Sequence, residues 1–139
     1  MDTSMIVFLV AVLIVGIFIF IAIGLNKGHT YNFDKQAYQA AILNIEHSIR
    51  RDSPDSFSAA VIKGDKLLDK AMCELGIRGN TMGERLKTAD KRFSKINQVW
   101  NAHKMRNAIA HEVDFEITYQ QATHAIEVYK QALKDLGAI

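Results

Sequence analysis

Residues 5–25 read MIVFLVAVLIVGIFIFIAIGL, 21 positions without one charged side chain. As a helix this run is roughly 31 Å long at about 1.5 Å per residue, close to the thickness of a bilayer's hydrocarbon core. A helix satisfies its own backbone polar groups, so lipid accepts it. A soluble core helix needs polar residues on at least one stripe, and none is present. A cleaved signal peptide has a positive start and a shorter apolar run of about 7–15 residues. Here the start is MDTSM, with Asp2 and no Lys or Arg. The expectation is an uncleaved single-pass transmembrane anchor over residues 1–25, touching membrane lipid through residues 5–25.

The flanks set the expected orientation. Lys27 and Lys35 follow the span and no basic residue precedes it. The positive-inside rule then puts the N-terminus outside and the C-terminal domain in the cytoplasm. Cys73 is the one cysteine, so no internal disulfide can form, which fits a reducing compartment. Within the span, Gly16 and Gly24 are interrupted by bulky Phe20, which breaks a small-residue seam for helix pairing.

After the span, NKGHTYNF (residues 26–33) reads as a juxtamembrane linker and residues 34–139 as one small domain with a single core. Apolar periodicity is helical throughout, with no strand-like alternation or repeat. A first helix over residues 34–50 carries Tyr38, Ile42, Ile45 and Ile49 on one stripe. RDSPD breaks it. Ser53 as N-cap before Pro54 starts a second helix, with Phe57, Val61, Leu68, Met72 and Leu75 inward and Gly76 at its end. Thr81 and Glu84 form a capping box for a third helix with Met82, Leu86 and Ala89. A fourth covers residues 96–112. Thr118 and Gln121 can box the last, whose stripe is Ala122, Ile126, Tyr129, Leu133 and Leu136, with Gly137 after it. The expected fold is all-α: a transmembrane helix followed by an up-and-down bundle of four to five helices.

Charge is uneven along this domain. Residues 78–106 hold eight basic side chains against Glu84 and Asp90, a local +6, whereas residues 107–139 sum to −3. A basic band of this kind attracts phosphates, through Arg85, Lys91, Arg92, Lys95 and Lys104, or is simply a solvated helix face.

The basic band ends at RNAIAH, residues 106–111. On one helix His103, Asn107 and His111 share a face, being four apart. Arg106 and His111 lie about 140° from each other. They meet at one ligand if Arg106 reaches across, if the helix loosens, or if a second copy supplies the missing half. Ala108 and Ala110 let another helix approach closely.

R-N-x-x-A-H near the end of a penultimate helix resembles the R-x4–6-H signature of the HEPN superfamily (higher eukaryotes and prokaryotes nucleotide-binding), in which a polar residue often follows the arginine, as Asn107 does. The similarity runs loosely over residues 57–136 and includes GDKLLDKAM and GNTMGERLK, stretches like those of small bacterial membrane-anchored proteins. It implies a HEPN-like bundle, often a homodimer with the motifs facing each other. Active members are metal-independent ribonucleases; many others are binding or assembly domains.

Two functions follow as expectations. The favoured one is a membrane-tethered interaction or assembly domain, dimeric and non-catalytic, with Arg106 paired to Asp65 or Asp69 and Asn107 and His111 completing the hydrogen bonds. The alternative is a membrane-tethered endoribonuclease giving 2′,3′-cyclic phosphate ends. There His111 moves the proton, Arg106 steadies the phosphate and Asn107 orients, and RNA is the partner. A nuclease needs Arg106 and His111 exposed in a shared groove, and a scaffold needs them buried and paired. A small subunit of a larger complex needs an exposed apolar patch. No cofactor or metal is expected: His103, Asn107 and His111 are a poor zinc set. Cys73, beside Met72 and Leu75, reads as a small core residue, and Trp100 and Phe93 as core.

Overall fold

The computed structural model describes residues 2–25 and 32–139, in two compact units. The first contains α1 (Thr3–Leu25), a 23-residue helix. Its stretch Thr3–Ile21 has a mean hydropathy of 3.2, with none of it buried against protein. It is long and apolar enough to cross a membrane. Most of the expected linker, residues 26–31 with Lys27, lies outside the described residues.

The second unit, Phe33–Ile139, is helical. It comprises α2 (Lys35–His47), α3 (Asp55–Glu74), the short α4 (Met82–Thr88), a 3-10 turn (Asp90–Arg92), α5 (Ile96–His111) and α6 (Tyr119–Asp135). There is no strand among the described residues. Local chemistry sets the ends. Asp34 accepts the Ala37 amide to start α2, and Thr81 accepts the Glu84 amide to start α4. Thr118 and Gln121 form the full reciprocal box at α6. At the C-terminus of α3 the Ile77 amide reaches Met72 O and the Gly76 amide Cys73 O. Ala138 and Gly137 repeat the pattern on Leu133 and Lys134.

Ser53 differs from expectation. α3 begins at Asp55, with Pro54 in the cap position and no side-chain cap bond. The turn is held instead by Ser56, whose hydroxyl donates to Ser53 O at 2.6 Å and accepts the Arg50 amide at 2.9 Å. α4 ends at Thr88 and gives way to the 3-10 turn; Phe93 is extended and buried.

The apolar stripes meet in one core. Ile42, Val61, Leu68, Met72, Leu86, Val99, Ile126, Tyr129 and Leu133 are its largest fully buried side chains. α2 runs antiparallel to α3: Asp34 and Ala37 share one groove with Lys70 and Glu74, and Ala41 and Ile45 share the next with Lys63 and Lys66. The most extensive packing, however, joins α3 to α6. Phe57 meets Tyr119, and Gly64 faces Ile126 and Tyr129, so these two helices run the same way. A Cβ on Gly64 would fall 2.6 Å from Tyr129 Cδ2 and 3.0 Å from Ile126 Cδ1. Glycine there, with buried Ala60, Ala71, Ala122, Ala125 and Ala132, lets the backbones approach. α2 packs against both α3 and α6, and so does α5. Cys73 corrects the expectation of a core thiol: it is exposed. It lies one residue, about 100° of helical turn, beyond buried Met72.

Candidate polar site between α3, α4 and α5

Where α4 and α5 face the middle of α3, a cavity of about 750 Å³ opens, lined by side chains that include Asp65, Lys66, Asp69, Arg85, His103, Arg106 and Asn107. Its floor is Asp65, 5% exposed, the one buried charged residue among the described residues. A carboxylate taken out of water is costly unless hydrogen bonds replace its hydration. Asp65 Oδ1 lies 2.9 Å from His103 Nδ1 and accepts the Tyr129 hydroxyl at 3.2 Å. Its Oδ2 sits 3.6 Å from Arg106 Nε, an ion pair without a hydrogen bond.

The circuit closes along α5. Arg106 Nη1 donates to Asn107 Oδ1 at 3.1 Å, and Asn107 Nδ2 lies 3.3 Å from His103 Nε2. With its oxygen taken by Arg106, Asn107 offers its amide hydrogens to His103 Nε2. That assignment makes Nδ1 the protonated nitrogen, donating to Asp65. Burial pushes the Tyr129 hydroxyl far above its ordinary range, and the Asp65 charge adds to this, so Tyr129 serves as a neutral donor.

A second pair forms the opposite wall. Arg85 of α4 grips Asp69 of α3 with two parallel bonds, Nε–Oδ1 at 2.7 Å and Nη2–Oδ2 at 2.9 Å, and its Nη1 donates to Gly79 O at 2.6 Å. The hydrogen bonds with Asp69 push the Arg85 guanidinium still higher than usual, ahead of the opposing effect of burial. Gly79, at φ 153, adopts a backbone that side-chain-bearing residues avoid, and a Cβ there would meet the Arg85 amide nitrogen at 2.7 Å.

The structure therefore sorts the sequence-derived residues. Arg106 and Asn107 are together in the cavity, and Asp65 is the partner of Arg106. Asp69 belongs to Arg85 instead, which removes Arg85 from a set of free phosphate ligands. Lys91, Arg92, Lys95 and Lys104 are exposed and none lines the cavity. His111, the last residue of α5, is exposed, lines no part of the cavity and makes no side-chain hydrogen bond among the described residues. The imidazole beside Arg106 is His103. Its signal is the spacing of four to Asn107, which along the chain points to nothing more specific than a poor metal set. Among the described residues no group of three or more His, Cys, Asp or Glu is placed to hold a metal ion. Tyr129 was legible as core, and a buried tyrosine needs a hydroxyl partner, but nothing along the chain named Asp65 as that partner.

No protein-family model matches the chain, and no match was found among curated proteins or solved structures.

Proposed function

We propose that this chain is a membrane-tethered, HEPN-like assembly domain that works as a homodimer and performs no catalysis. One observation carries the reading: within a protomer Arg106 is committed to Asp65 and Asn107, while His111 stands exposed outside the cavity. The arginine serves the fold, and the imidazole nearest it, on His103, is bound at both ring nitrogens. In this reading α1 tethers the bundle, and Lys27 and Lys35 after the span, with no basic residue before it, support a cytoplasmic bundle.

The ribonuclease reading draws on a different observation. Lys66 and Arg106 line an open cavity of about 750 Å³ that has room for a nucleotide-sized group. It requires a second copy to bring its His111 to the Arg106 of the first.

The two readings separate in one experiment on the full-length protein in detergent micelles. Labelled RNA is incubated with wild type and with His111→Ala, and the products are examined for 2′,3′-cyclic phosphate ends. The assembly reading expects no cleavage by either. Cleavage by wild type that disappears in a His111→Ala protein with unchanged melting and unchanged sedimentation establishes the nuclease instead.

A further inference from the structure

On the other side of Lys66, which also lines the polar cavity, α2 and α3 leave an apolar groove of about 400 Å³. Its floor is Ala41, Ile45 and Leu67, and its walls are the stems of Lys63, Lys66 and Lys70. The three lysines are exposed and stand three and four residues apart on one face of α3. Lys70 shares its charge with Glu74 at 3.7 Å. Neither Lys63 nor Lys66 makes an ion pair among the described residues. Aliphatic stems against an apolar floor with ammonium groups at the rim suit an occupant that is apolar at its centre and acidic around it.

The molecule carries such an element. Between α5 and α6 the chain reads Glu112-Val113-Asp114-Phe115-Glu116. Val113 is 90% exposed and Phe115 37% exposed, and the three acidic residues are exposed too. Asp114 holds a left-handed backbone, φ 66, uncommon for a residue with a side chain. Since the apolar side chains are exposed, the loop is not seated in the groove of its own chain. Its acidic residues repel an anionic bilayer surface, so the loop fits a basic protein surface.

We propose that residues 112–116 of one copy dock in the Lys63/Lys66/Lys70 groove of a second, Val113 and Phe115 on the apolar floor and Glu112, Asp114 and Glu116 against the lysines. The inference rests on the homodimer reading above and names its interface. Exchange is reciprocal, each copy giving a loop and receiving one, which closes a twofold dimer. Each contact is small, and confinement of both copies to one membrane raises their effective concentration.

The test uses the full-length chain in non-ionic detergent micelles and sedimentation equilibrium. A loop variant carries Glu112→Lys, Asp114→Asn and Glu116→Lys, asparagine being chosen because it tolerates the left-handed backbone. A groove variant carries Lys63→Glu, Lys66→Glu and Lys70→Glu. Each alone should dimerise at least about tenfold more weakly than wild type, and an equimolar mixture should recover the wild-type constant, since both contacts again pair opposite charges. Val113→Ser with Phe115→Ser should weaken dimerisation without a change of charge. In the wild type the dissociation constant should rise with salt, a measurement independent of how the variants fold.

A loop or groove variant that dimerises like wild type overturns this interface and leaves the homodimer standing on another face. So does a mixture that fails to recover, or a salt-independent constant. Wild-type protein that stays monomeric throughout overturns the interface and the homodimer together. In nanodiscs the association should be the same in phosphatidylcholine as in phosphatidylglycerol. Dependence on the anionic lipid assigns the groove to headgroups and ends the proposal.

Discussion

Asp65 is costly to leave without partners. It is buried under α5 and α6, and His103, Tyr129 and Arg106 share the task of keeping its charge supported. Removing one side of such an arrangement typically costs about 3–5 kcal/mol, because the other side remains buried and uncompensated. Here that means chiefly the His103 ring N–H and the Tyr129 hydroxyl after Asp65→Ala, since the Arg106 side chain is 33% exposed and solvent takes up much of its charge. Urea unfolding should therefore place Asp65→Ala in that range and Tyr129→Phe at about 1–3 kcal/mol, one hydrogen bond to a charged acceptor. His111→Ala should stay within about 0.5 kcal/mol of wild type, as an exposed position does. Equal losses at Asp65 and His111 would refute this division of the motif. The sequence offered Asp65 and Asp69 as alternative partners for Arg106. It could not choose, because the two lie one turn apart and the choice depends on how far α3 slides against α5. Once Arg85 of α4 takes Asp69 in a bidentate grip, Asp65 is left for α5.

Among elements, the caps were the most legible, because they are local. Thr81, Thr118 and Gly76 act within four residues of where they stand in the chain. The pairing of α3 with α6 was not. It depends on small residues, Gly64 above all, and small residues add little to an apolar stripe. Short connections are silent on which non-neighbours touch. Gly64→Ala should cost about 1–3 kcal/mol, since its methyl group meets the Tyr129 ring and the tightly packed core has no room to yield. A neutral or stabilising result would mean that the α3–α6 approach is looser than 2.6 Å implies.

The end of α6 gives a pH signature. Asp135 accepts the Ser94 amide at 2.8 Å and the Ser94 hydroxyl at 2.7 Å on one oxygen, and the Gln131 amide at 2.9 Å on the other. Burial raises its carboxyl, but the Ser94 bonds, with Gln131 and nearby Lys95, outweigh burial and leave it below the ordinary range. A carboxyl lowered on folding adds stability above its unfolded value and loses it as pH falls through the folded one. The advantage of wild type over Asp135→Asn should hold at neutral pH and fade below about pH 4 in a series of thermal melts. An advantage that persists undiminished into strong acid would contradict the assignment.

For the whole molecule, the contrast between α1 and the bundle was legible because the two differ in composition. The bundle alternates apolar and polar stripes, whereas α1 is apolar on every side. Its margin can be gauged. Sixteen Leu, Ile, Val and Phe residues lie within residues 5–25. At about −0.3 to −0.6 kcal/mol each, they favour insertion by roughly 5–10 kcal/mol, against about 2.5–3.5 for one arginine at the centre of a span. A single Ile14→Arg should leave the protein in the membrane pellet after alkaline carbonate extraction. Val10→Arg, Ile14→Arg and Phe18→Arg together, four apart on one stripe, consume the margin and should release it to the supernatant with the bundle still folded, since that unit has its own core. Release by the single substitution would mean that the wild-type helix barely holds the bilayer. Retention of the triple variant would mean that the bundle itself clings to lipid, and the tether would then be only part of what keeps this chain at a membrane.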